Sequence, residues 1–393
     1  LHRRRHSFPT RRSSDLNISD ESVVEQWSEN NYYQYFCGEH VFQPCEPCEA
    51  SELVHFRNRI GESGIELILK ESIRVNGNDS NDSTASIDTT VQEKNITFPT
   101  DSKLHRKIID KCRNIAEKEN LPVRQSYTRT LKKLSLDQRF RNHPRNKWKA
   151  RKADRKEKTI AGRLVRELER NLSPDSRYQS DIDLFKRILN QKKSDKNKIY
   201  SVHEPDVQCI SKGKEHKKYE FGNKVSIIYT QTTGVIIGAL GFRNPYDGHT
   251  IEPALEQTER LLGKRTLKTL IGDRGYKGKR QINDTTIEIP KPFNNRKQSQ
   301  YQQNKLKKQF RKRAAIEPIN GHLKTDHRLN RNFYKGITGD NMNVMLAAAA
   351  FNFKRMMNKW KSSFWLEFKI QIVDLINSMF YQINNQIILK WAF

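Results

Sequence analysis

The chain has 393 residues, of which 73 are Lys or Arg and 45 are Asp or Glu, so its formal net charge is +28. That length allows two or three domains with a buried core, and the charge favours a long polyanion, most simply nucleic acid, as the partner. The sequence has no apolar run long enough to span a membrane, no Gly-x-Gly-x-x-Gly or Walker loop, and only five cysteines. These absences argue against a membrane-spanning protein, a dinucleotide or P-loop enzyme and a disulfide scaffold, and we expect a cytoplasmic protein.

Residues 1–16 are basic and show no apolar period. They lack the apolar core of a signal peptide. One interpretation is a basic arm that contacts DNA. The interpretation we favour is a non-native extension, because the string is similar to translated sequencing-adapter DNA, and the native N-terminus is then expected to be missing.

Residues 17–75 are predicted to form an N-terminal helical domain. Ser19, or alternatively Ser22, is expected to cap a helix over Glu21–Asn30, and a second helix is expected over Ser51–Ser72. The stretch 76–83 is rich in Asn, Gly, Asp and Ser, which is typical of a linker. We therefore place a domain boundary there.

The next elements alternate between strands and helices. A strand candidate, Thr84–Thr90, is followed by residues 102–198, which are almost free of strand signals and are divided into helices by prolines. The later predicted strands are Lys224–Thr230 and Gly234–Leu240, joined as a hairpin, then Thr266–Gly272 and Thr286–Pro290. The later predicted helices cover about Glu252–Leu262, Gln300–Arg328 and Asp340–Lys361, before an apolar helical tail over residues 362–393. This order predicts an α/β domain over residues 84–361, with a mixed sheet interrupted by an all-helical insertion.

Two blocks of the sequence concentrate the positive charge. Between Arg129 and Arg170 there are 16 basic and 5 acidic residues, a net charge of 16 − 5 = +11, and Ile289–Ile316 contains no acidic residue. Such density would neutralise many phosphates and make binding steeply dependent on salt. A solvated basic helix face without a specific partner is the alternative. The predicted backbone-binding residues in these blocks are Arg145, Lys147, Lys149, Arg151, Lys152, Lys307 and Lys308.

Three acidic residues are candidates for chemistry. Asp88 and Asp273 each end a predicted strand, and Glu317 lies on a predicted helix amid positive charge. Carboxylates placed in this way can converge, and a converged cluster requires cations, most suitably Mg²⁺ or Mn²⁺, of which two can activate a water or a 3′-hydroxyl on a phosphodiester. The alternatives are that the two aspartates are turn or cap residues and that Glu317 pairs with Arg313, four residues earlier.

At these residues the chain resembles the DDE transposases of bacterial insertion sequences, in particular the group labelled IS with the number five. Those enzymes carry Tyr, two residues, Arg, three residues, Glu, six residues and Lys around their last acid. Arg313, Glu317 and Lys324 stand at the last three positions, while Phe310 stands at the Tyr position. The segments Leu270–Tyr276 and Ser86–Thr90 match those that carry the second and first acids.

The resemblance implies an RNase H-like catalytic domain and a transposase activity. It implies that Asp88, Asp273 and Glu317 bind two Mg²⁺ or Mn²⁺ ions, and that Arg313 and Lys324 contact the phosphates of the transposon end. The implied reaction is strand cleavage at terminal inverted repeats of double-stranded DNA, then attack of the 3′-hydroxyl on target DNA. A homo-oligomer during synapsis and an N-terminal domain that reads the repeats are also implied. The alternatives are a catalytically inactive DNA-binding remnant and an RNase H-like nuclease without strand transfer.

Overall fold

The computed structural model describes residues 18–211, 217–263, 267–290 and 299–362. The predicted extension over residues 1–16 and residues 363–393 of the predicted tail lie outside the described residues. The helices described are α1 (Asp20–Glu29), α2 (Asn31–Phe36), α3 (Ala50–Arg74), α4 (Asp101–Lys118), α5 (Thr128–Asp137), α6 (Lys147–Asn171), α7 (Gln179–Asn190), α8 (Ile251–Leu262), α9 (Gln300–Arg313), α10 (Ile316–Thr325) and α11 (residues 336–362). The strands described are β1 (Thr84–Lys94), β2 (Gln208–Ile210), β3 (Glu220–Thr230), β4 (Ile236–Phe242), β5 (Thr269–Ile271), β6 (Gln281–Ile282), β7 (Thr285–Glu288) and β8 (Arg331–Asn332).

These strands form one mixed sheet with β1 in its centre. On one side β1 pairs antiparallel with β3, and on the other side it pairs in parallel first with β5 and then, near its end, with β8. The hairpin partner β4 pairs antiparallel with β3, and β7 continues the sheet in parallel beyond β5. Helices cover both sides of the sheet. This is the RNase H-like mixed α/β fold that the resemblance implies.

The central strands form because their residues are apolar on both faces of the sheet. In β3 the run from Val225 to Tyr229 is completely buried, as are Ala85 and Ile87 of β1. β1 is longer than predicted, because its polar second half continues to pair with β3 as far as Glu93. The short strands β2, β6 and β8 were not predicted, since two or three residues carry too little periodicity.

The first N-terminal helix is capped as predicted, and the last one packs against the sheet. The Ser19 hydroxyl accepts a hydrogen bond from the backbone N–H of Ser22 at 3.2 Å, which confirms the predicted cap of α1. Helix α3 bends at Gly61, whose φ is +62°. Beyond the bend, Ile65 and Leu69 are fully buried in the same apolar core as the sheet. The last three turns of α3 therefore pack against the sheet.

The insertion between β1 and β2 is all helical, as predicted, and has its own apolar core. Helices α4 to α7 bury Ile108, Ile160 and Phe185 in a cluster separate from that of the sheet. At its base, the ring of Phe221 on β3 packs against Phe98 and Tyr200, with ring centroids 5.4 and 5.3 Å apart. These contacts hold the segments that lead into and out of the insertion, before α4 and after α7, against β3.

Helix α11 covers the other side of β4 and closes the core. Residues Ala347–Ala350 are buried and small, so the helix lies close to the sheet. Buried Asn352 donates through Nδ2 to the carbonyl of Ile236 at 2.8 Å and accepts from its N–H at 2.9 Å. The side chain thus satisfies the backbone N–H and C=O groups of Ile236, which lies at the bulge in the β3–β4 pairing. No helix in the described part of the chain is long and apolar enough to cross a membrane.

The predicted helix over Gln300–Arg328 is wrong in one important respect. The structure breaks it into α9 and α10, with a turn at Ala314 and Ala315. Pro318 explains the break, because proline lacks the backbone N–H that a continuous helix would use for a hydrogen bond. In the first turn of a new helix this N–H would have no intrahelical partner, so proline is tolerated there. Arg313 and Glu317 therefore belong to different helices.

Candidate active site

Asp88 lies within β1, and Asp273 follows the end of the neighbouring parallel strand β5, at the same level of the sheet. The β1–β5 register pairs Ser86 with Ile271, and each aspartate follows two residues later in its own chain. β5 ends at Ile271 while β1 continues, so the pairing of β1 with β5 stops at this point. Residues at the carboxyl ends of adjacent parallel strands face a common space. The fold thus brings the two sequence-predicted aspartates together at the end of β5.

Asp273 also holds its own turn. Its Oδ1 accepts a hydrogen bond from the N–H of Gly275 at 2.7 Å and caps the short 3-10 turn Arg274–Tyr276. The sequence left open whether Asp273 was a turn residue or a functional carboxylate. In the structure it is a turn residue, and this role fixes the orientation of its carboxylate, which is only half-buried.

Two side chains from the α9–α10 region reach Asp88. Nη1 of Arg313, the last residue of α9, lies 3.5 Å from Asp88 Oδ1, and Nδ2 of Asn320 on α10 donates to Oδ2 at 3.2 Å. The buried Tyr229 of β3 donates from its hydroxyl to the carbonyl of Arg313 at 2.9 Å. This bond ties the end of α9 to the sheet, beside the strand that carries Asp88.

Glu317 does not join the two aspartates. It lies in the first turn of α10 and its side chain is exposed, although Asn320 on the same helical face, three residues later, contacts Asp88. No group of three or more His, Cys, Asp and Glu side chains in the described ranges is close enough to hold a metal ion. The donor chemistry of Asp88 and Asp273 suits a hard divalent cation, but Arg313 serves here as the counter-ion of Asp88.

A third aspartate, Asp247, stands beside this pair and was missed by sequence reasoning. It lies in the loop between β4 and α8, where Oδ1 accepts from the Thr89 hydroxyl at 3.1 Å and pairs with Lys224 Nζ at 3.0 Å. Thr89 directly follows Asp88. The sequence offered one local signal, an Asp-Gly turn before a helix, but nothing in it indicated which strand the loop would meet.

Tyr276 is the buried centre of these carboxylates. Its side chain is 1% exposed and its hydroxyl makes no hydrogen bond of normal geometry. Burial raises the pKa of Tyr276 well above its usual value, and the negative charges of Asp88, Asp247 and Asp273 raise it further, against a weaker opposite effect of the Thr89 hydroxyl. The phenol therefore stays protonated at neutral pH and remains a hydrogen-bond donor.

The sequence-predicted DNA-binding residues fall into two groups. Those on the α9–α10 side are Arg313, which contacts Asp88, half-buried Lys324 on α10, and exposed Lys307 and Lys308 on α9. The half-buried Phe310, at the Tyr position of the signature, is on α9 as well. The second group lies at the start of α6 and just before it, where all members are exposed: Arg145, Lys147, Lys149, Arg151 and Lys152.

Two comparisons with known proteins found similar sequences. Residues 191–353 match the family model described as a transposase DDE domain, a range that contains Asp273 and Glu317 and begins after Asp88. Over 133 residues the chain is 41% identical to the protein of Rhizobium meliloti named "Uncharacterized protein ORF8 in nfe locus". That alignment covers 33% of this chain and 64% of the relative, so the chain spans just under two thirds of the relative's length. No solved structure matches the chain. The family match supports a transposase domain of the DDE type in the C-terminal half of this protein.

Proposed function

We propose that this protein is a DNA transposase that cleaves DNA strands at the ends of an insertion sequence and joins the freed 3′-hydroxyls to target DNA. The observation that carries the proposal is that Asp88 on β1 and Asp273, two residues after the end of β5, lie at the same level of these parallel strands. This pair lies in a mixed sheet of the RNase H-like type, and the sequence around its second member matches a transposase family model. As a bacterial transposase, the protein would act on DNA in the cytoplasm.

Asp88, Asp273 and Glu317 would hold the divalent metal ions of this reaction. A bound Mg²⁺ or Mn²⁺ pair would supply a stronger nucleophile and a stabilised leaving oxygen on the phosphodiester. Asp88 and Asp273 are already placed side by side, and oxygen donors are the ligands that such ions prefer. Glu317 is one helical turn from Asn320, the residue that touches Asp88.

The basic side chains around the pair would bind and orient the DNA backbone. Arg313 at Asp88 offers a planar guanidinium suited to a phosphate. Lys324 and the exposed lysines of α9, Lys307 and Lys308, extend this positive surface along the two helices. Such contacts fix the register of a duplex without reading its bases.

The insertion and the N-terminal helices would contribute further DNA contacts. At the start of α6, the exposed residues Lys149, Arg151 and Lys152 form a dense basic surface on a rigid, separately packed unit. The N-terminal helices α1 to α3 are the proposed reader of the terminal repeats. Holding two transposon ends together would require a homo-oligomer during synapsis.

A DNA-binding protein without cleavage activity is the second candidate. The exposed Glu317, outside the carboxylate pair, is the observation that favours it. An RNase H-like nuclease that cleaves without joining is a variant of the first proposal. The three functions differ in the products that they give from one DNA substrate.

The experiment is an assay of cleavage and joining on linear duplexes cut from the DNA that flanks the gene, with Mg²⁺ or Mn²⁺ and a labelled target duplex. Asp88→Asn and Glu317→Gln would run beside Glu256→Gln, an exposed glutamate of α8, as the matched control. We expect metal-dependent cleaved and joined products from the wild type and the control, and none from the two site variants. Cleavage without joining would indicate the nuclease, and salt-sensitive binding without any products would indicate the inactive binder.

A further inference from the structure

We propose that Asp247, held by Lys224 and Thr89, is a positioning residue that braces the turn carrying Asp273 against the back of β1. The proposal rests on the proposed function of the Asp88–Asp273 pair and deepens it. It concerns a residue outside the family signature that the sequence carries.

Asp247 approaches β1 from the face opposite to the one that Arg313 and Asn320 approach. Successive residues of a strand point to opposite faces, so Asp88 and Thr89 present their side chains on opposite sides of β1. Arg313 and Asn320 contact Asp88, whereas Asp247 contacts Thr89. Asp247 therefore reaches β1 on the face opposite to the Asp88 side chain, where its partner is Thr89.

Lys224 fixes Asp247 from the neighbouring strand. Its Nζ lies 3.0 Å from Asp247 Oδ1 and donates to the carbonyl of Pro245 at 2.6 Å, so one ammonium ties down the loop at two points. Ser226, two residues after Lys224 in β3, pairs with Thr89 of β1, which places Lys224 and Thr89 on the same face of the sheet. The Lys224 side chain is only 11% exposed, and its ion pair is correspondingly little screened by solvent.

The loop of Asp247 interlocks with the turn of Asp273 through two glycines. A Cβ added at Gly275 would lie 2.9 Å from Asp273 Oδ1 and 3.0 Å from Asp247 Oδ2. A Cβ added at Gly248 would lie 2.7 Å from the carbonyl of Lys277. Gly248 cannot carry a side chain because the backbone of the other loop is so close, and a side chain at Gly275 would displace the carboxylates of Asp273 and Asp247. A displacement of Asp247 would therefore release the turn that orients Asp273.

The buried phenol of Tyr276 is independent evidence for a functional arrangement. It is almost completely buried, its hydroxyl makes no hydrogen bond of normal geometry, and the charges of Asp88, Asp247 and Asp273 are close enough to raise its pKa. An unpartnered buried hydroxyl costs stability, and it persists where the surrounding structure holds it in place. Asp247 and Lys224 belong to the structure that holds this hydroxyl in place, and they lie outside the Asp88–Asp273 pair.

The test compares four variants of the full-length chain with the wild type. Asp247→Ala removes the brace, Thr89→Val removes the hydroxyl at almost constant shape, and Thr89→Ser restores the hydroxyl. Asp206→Ala is the matched control, since Asp206 forms an exposed ion pair with Arg243 at 2.8 Å. The measurements are amide hydrogen exchange over residues 272–277, the cleavage rate at saturating DNA, and KM for DNA.

We expect Asp247→Ala and Thr89→Val to accelerate exchange in residues 272–277 by about tenfold or more, and to lower the saturated cleavage rate by a similar factor with an unchanged KM. Thr89→Ser and Asp206→Ala should resemble the wild type. Exchange in Thr89→Val and Asp247→Ala equal to that in Asp206→Ala would overturn the proposal. If the wild type cleaves no DNA, the proposed function fails, and the exchange measurement alone decides whether Asp247 braces the turn.

Discussion

Arg313 and Asp88 form an ion pair across the active-site edge, with Nη1 of the arginine 3.5 Å from Oδ1 of the aspartate. The two residues are 225 positions apart in the sequence, and each is about one quarter exposed or less. The pair means that the site carries its own counter-ion. A divalent cation and a DNA phosphate would compete for its two members, the cation for Asp88 and the phosphate for Arg313.

Replacement of Arg313 should make the fold depend more on a divalent cation. Without the guanidinium, Asp88 and Asp273 repel each other, so Arg313→Gln is expected to lower Tm in the presence of a chelator. Added Mg²⁺ should then raise Tm more in this variant than in the wild type. Thermal unfolding with and without Mg²⁺ is the measurement, and Arg311→Gln, exposed on the same helix, is the control. An equal Mg²⁺ effect in all three proteins would contradict the prediction.

The basic start of α6 should account for part of the salt dependence of DNA binding. Replacing Lys149, Arg151 and Lys152 together by Gln removes three exposed cations, which should weaken binding and reduce the slope of log Kd against log salt by roughly 2 to 3. Kd is to be measured on one duplex at several salt concentrations.

The control for this change is a second triple variant of the same charge. Lys192, Lys193 and Lys196 are exposed in the segment that follows α7, and their replacement by Gln should change the slope much less. If both variants lower the slope equally, net charge rather than the surface of α6 determines binding.

Asn352 is expected to be among the residues on which stability depends most. Its side-chain amide replaces the strand partner that Ile236 lacks at the bulge, and its Nδ2 also lies 3.1 Å from the Ser72 hydroxyl. Asn352→Ala leaves these buried groups unpaired and should lower the free energy of unfolding by about 2 to 4 kcal/mol. Denaturant unfolding measures the loss. Asn358→Ala, at an exposed position of the same helix, should change stability little.

His105 should make the insertion sensitive to mild acid. Burial lowers the pKa of this side chain below its ordinary 6.5, with a smaller contribution from Lys158 in the same direction, against Asp101, Glu157 and Asp154. The unfolded chain therefore binds the proton more readily than the folded chain. Stability attributable to His105 is complete above pH 6.5 and is lost as the pH falls below that value.

The free energy of unfolding is to be measured at several pH values between 7.5 and about 5.5, for the wild type and His105→Leu. Unfolding is monitored by the helical signal in circular dichroism. The variant has no group to titrate at this position, so its stability should fall less across the window. A fall as steep as that of the wild type would show that other groups determine the acid response.

Cys112 should resist thiol reagents in the folded protein. Burial in the insertion raises the pKa of its thiol to about 12, and its side chain is 1% exposed. Cys45 is exposed and should react readily. Labelling at pH 8 with mass spectrometric detection should modify Cys45 within minutes and Cys112 only after denaturant is added. Rapid modification of native Cys112 would show that the insertion core opens easily.

Local sequence patterns were sufficient for much of the fold. Apolar β-branched runs identified β3, β4 and the first half of β1, and the absence of such runs identified the helical insertion. The cap of α1 could be predicted because it depends on a contact between residues three positions apart. The two aspartates could be singled out because each ends the apolar part of a predicted strand, which is a local feature, although β1 continues beyond Asp88 to Lys94. Their roles, the linker boundary and the DNA-binding residues stay predictions.

Only the tertiary structure decided how distant parts of the chain meet at the site. The break between α9 and α10 turned Arg313 towards Asp88, although the sequence spacing suggested Glu317 as its partner. Asp247 joined the site because its loop packs against Thr89 and Gly275, which no periodicity reveals. Local propensity acts over a few residues, whereas these contacts depend on the packing of residues 28 to 225 positions apart. The sequence therefore singled out the two aspartates, and packing determined what surrounds them.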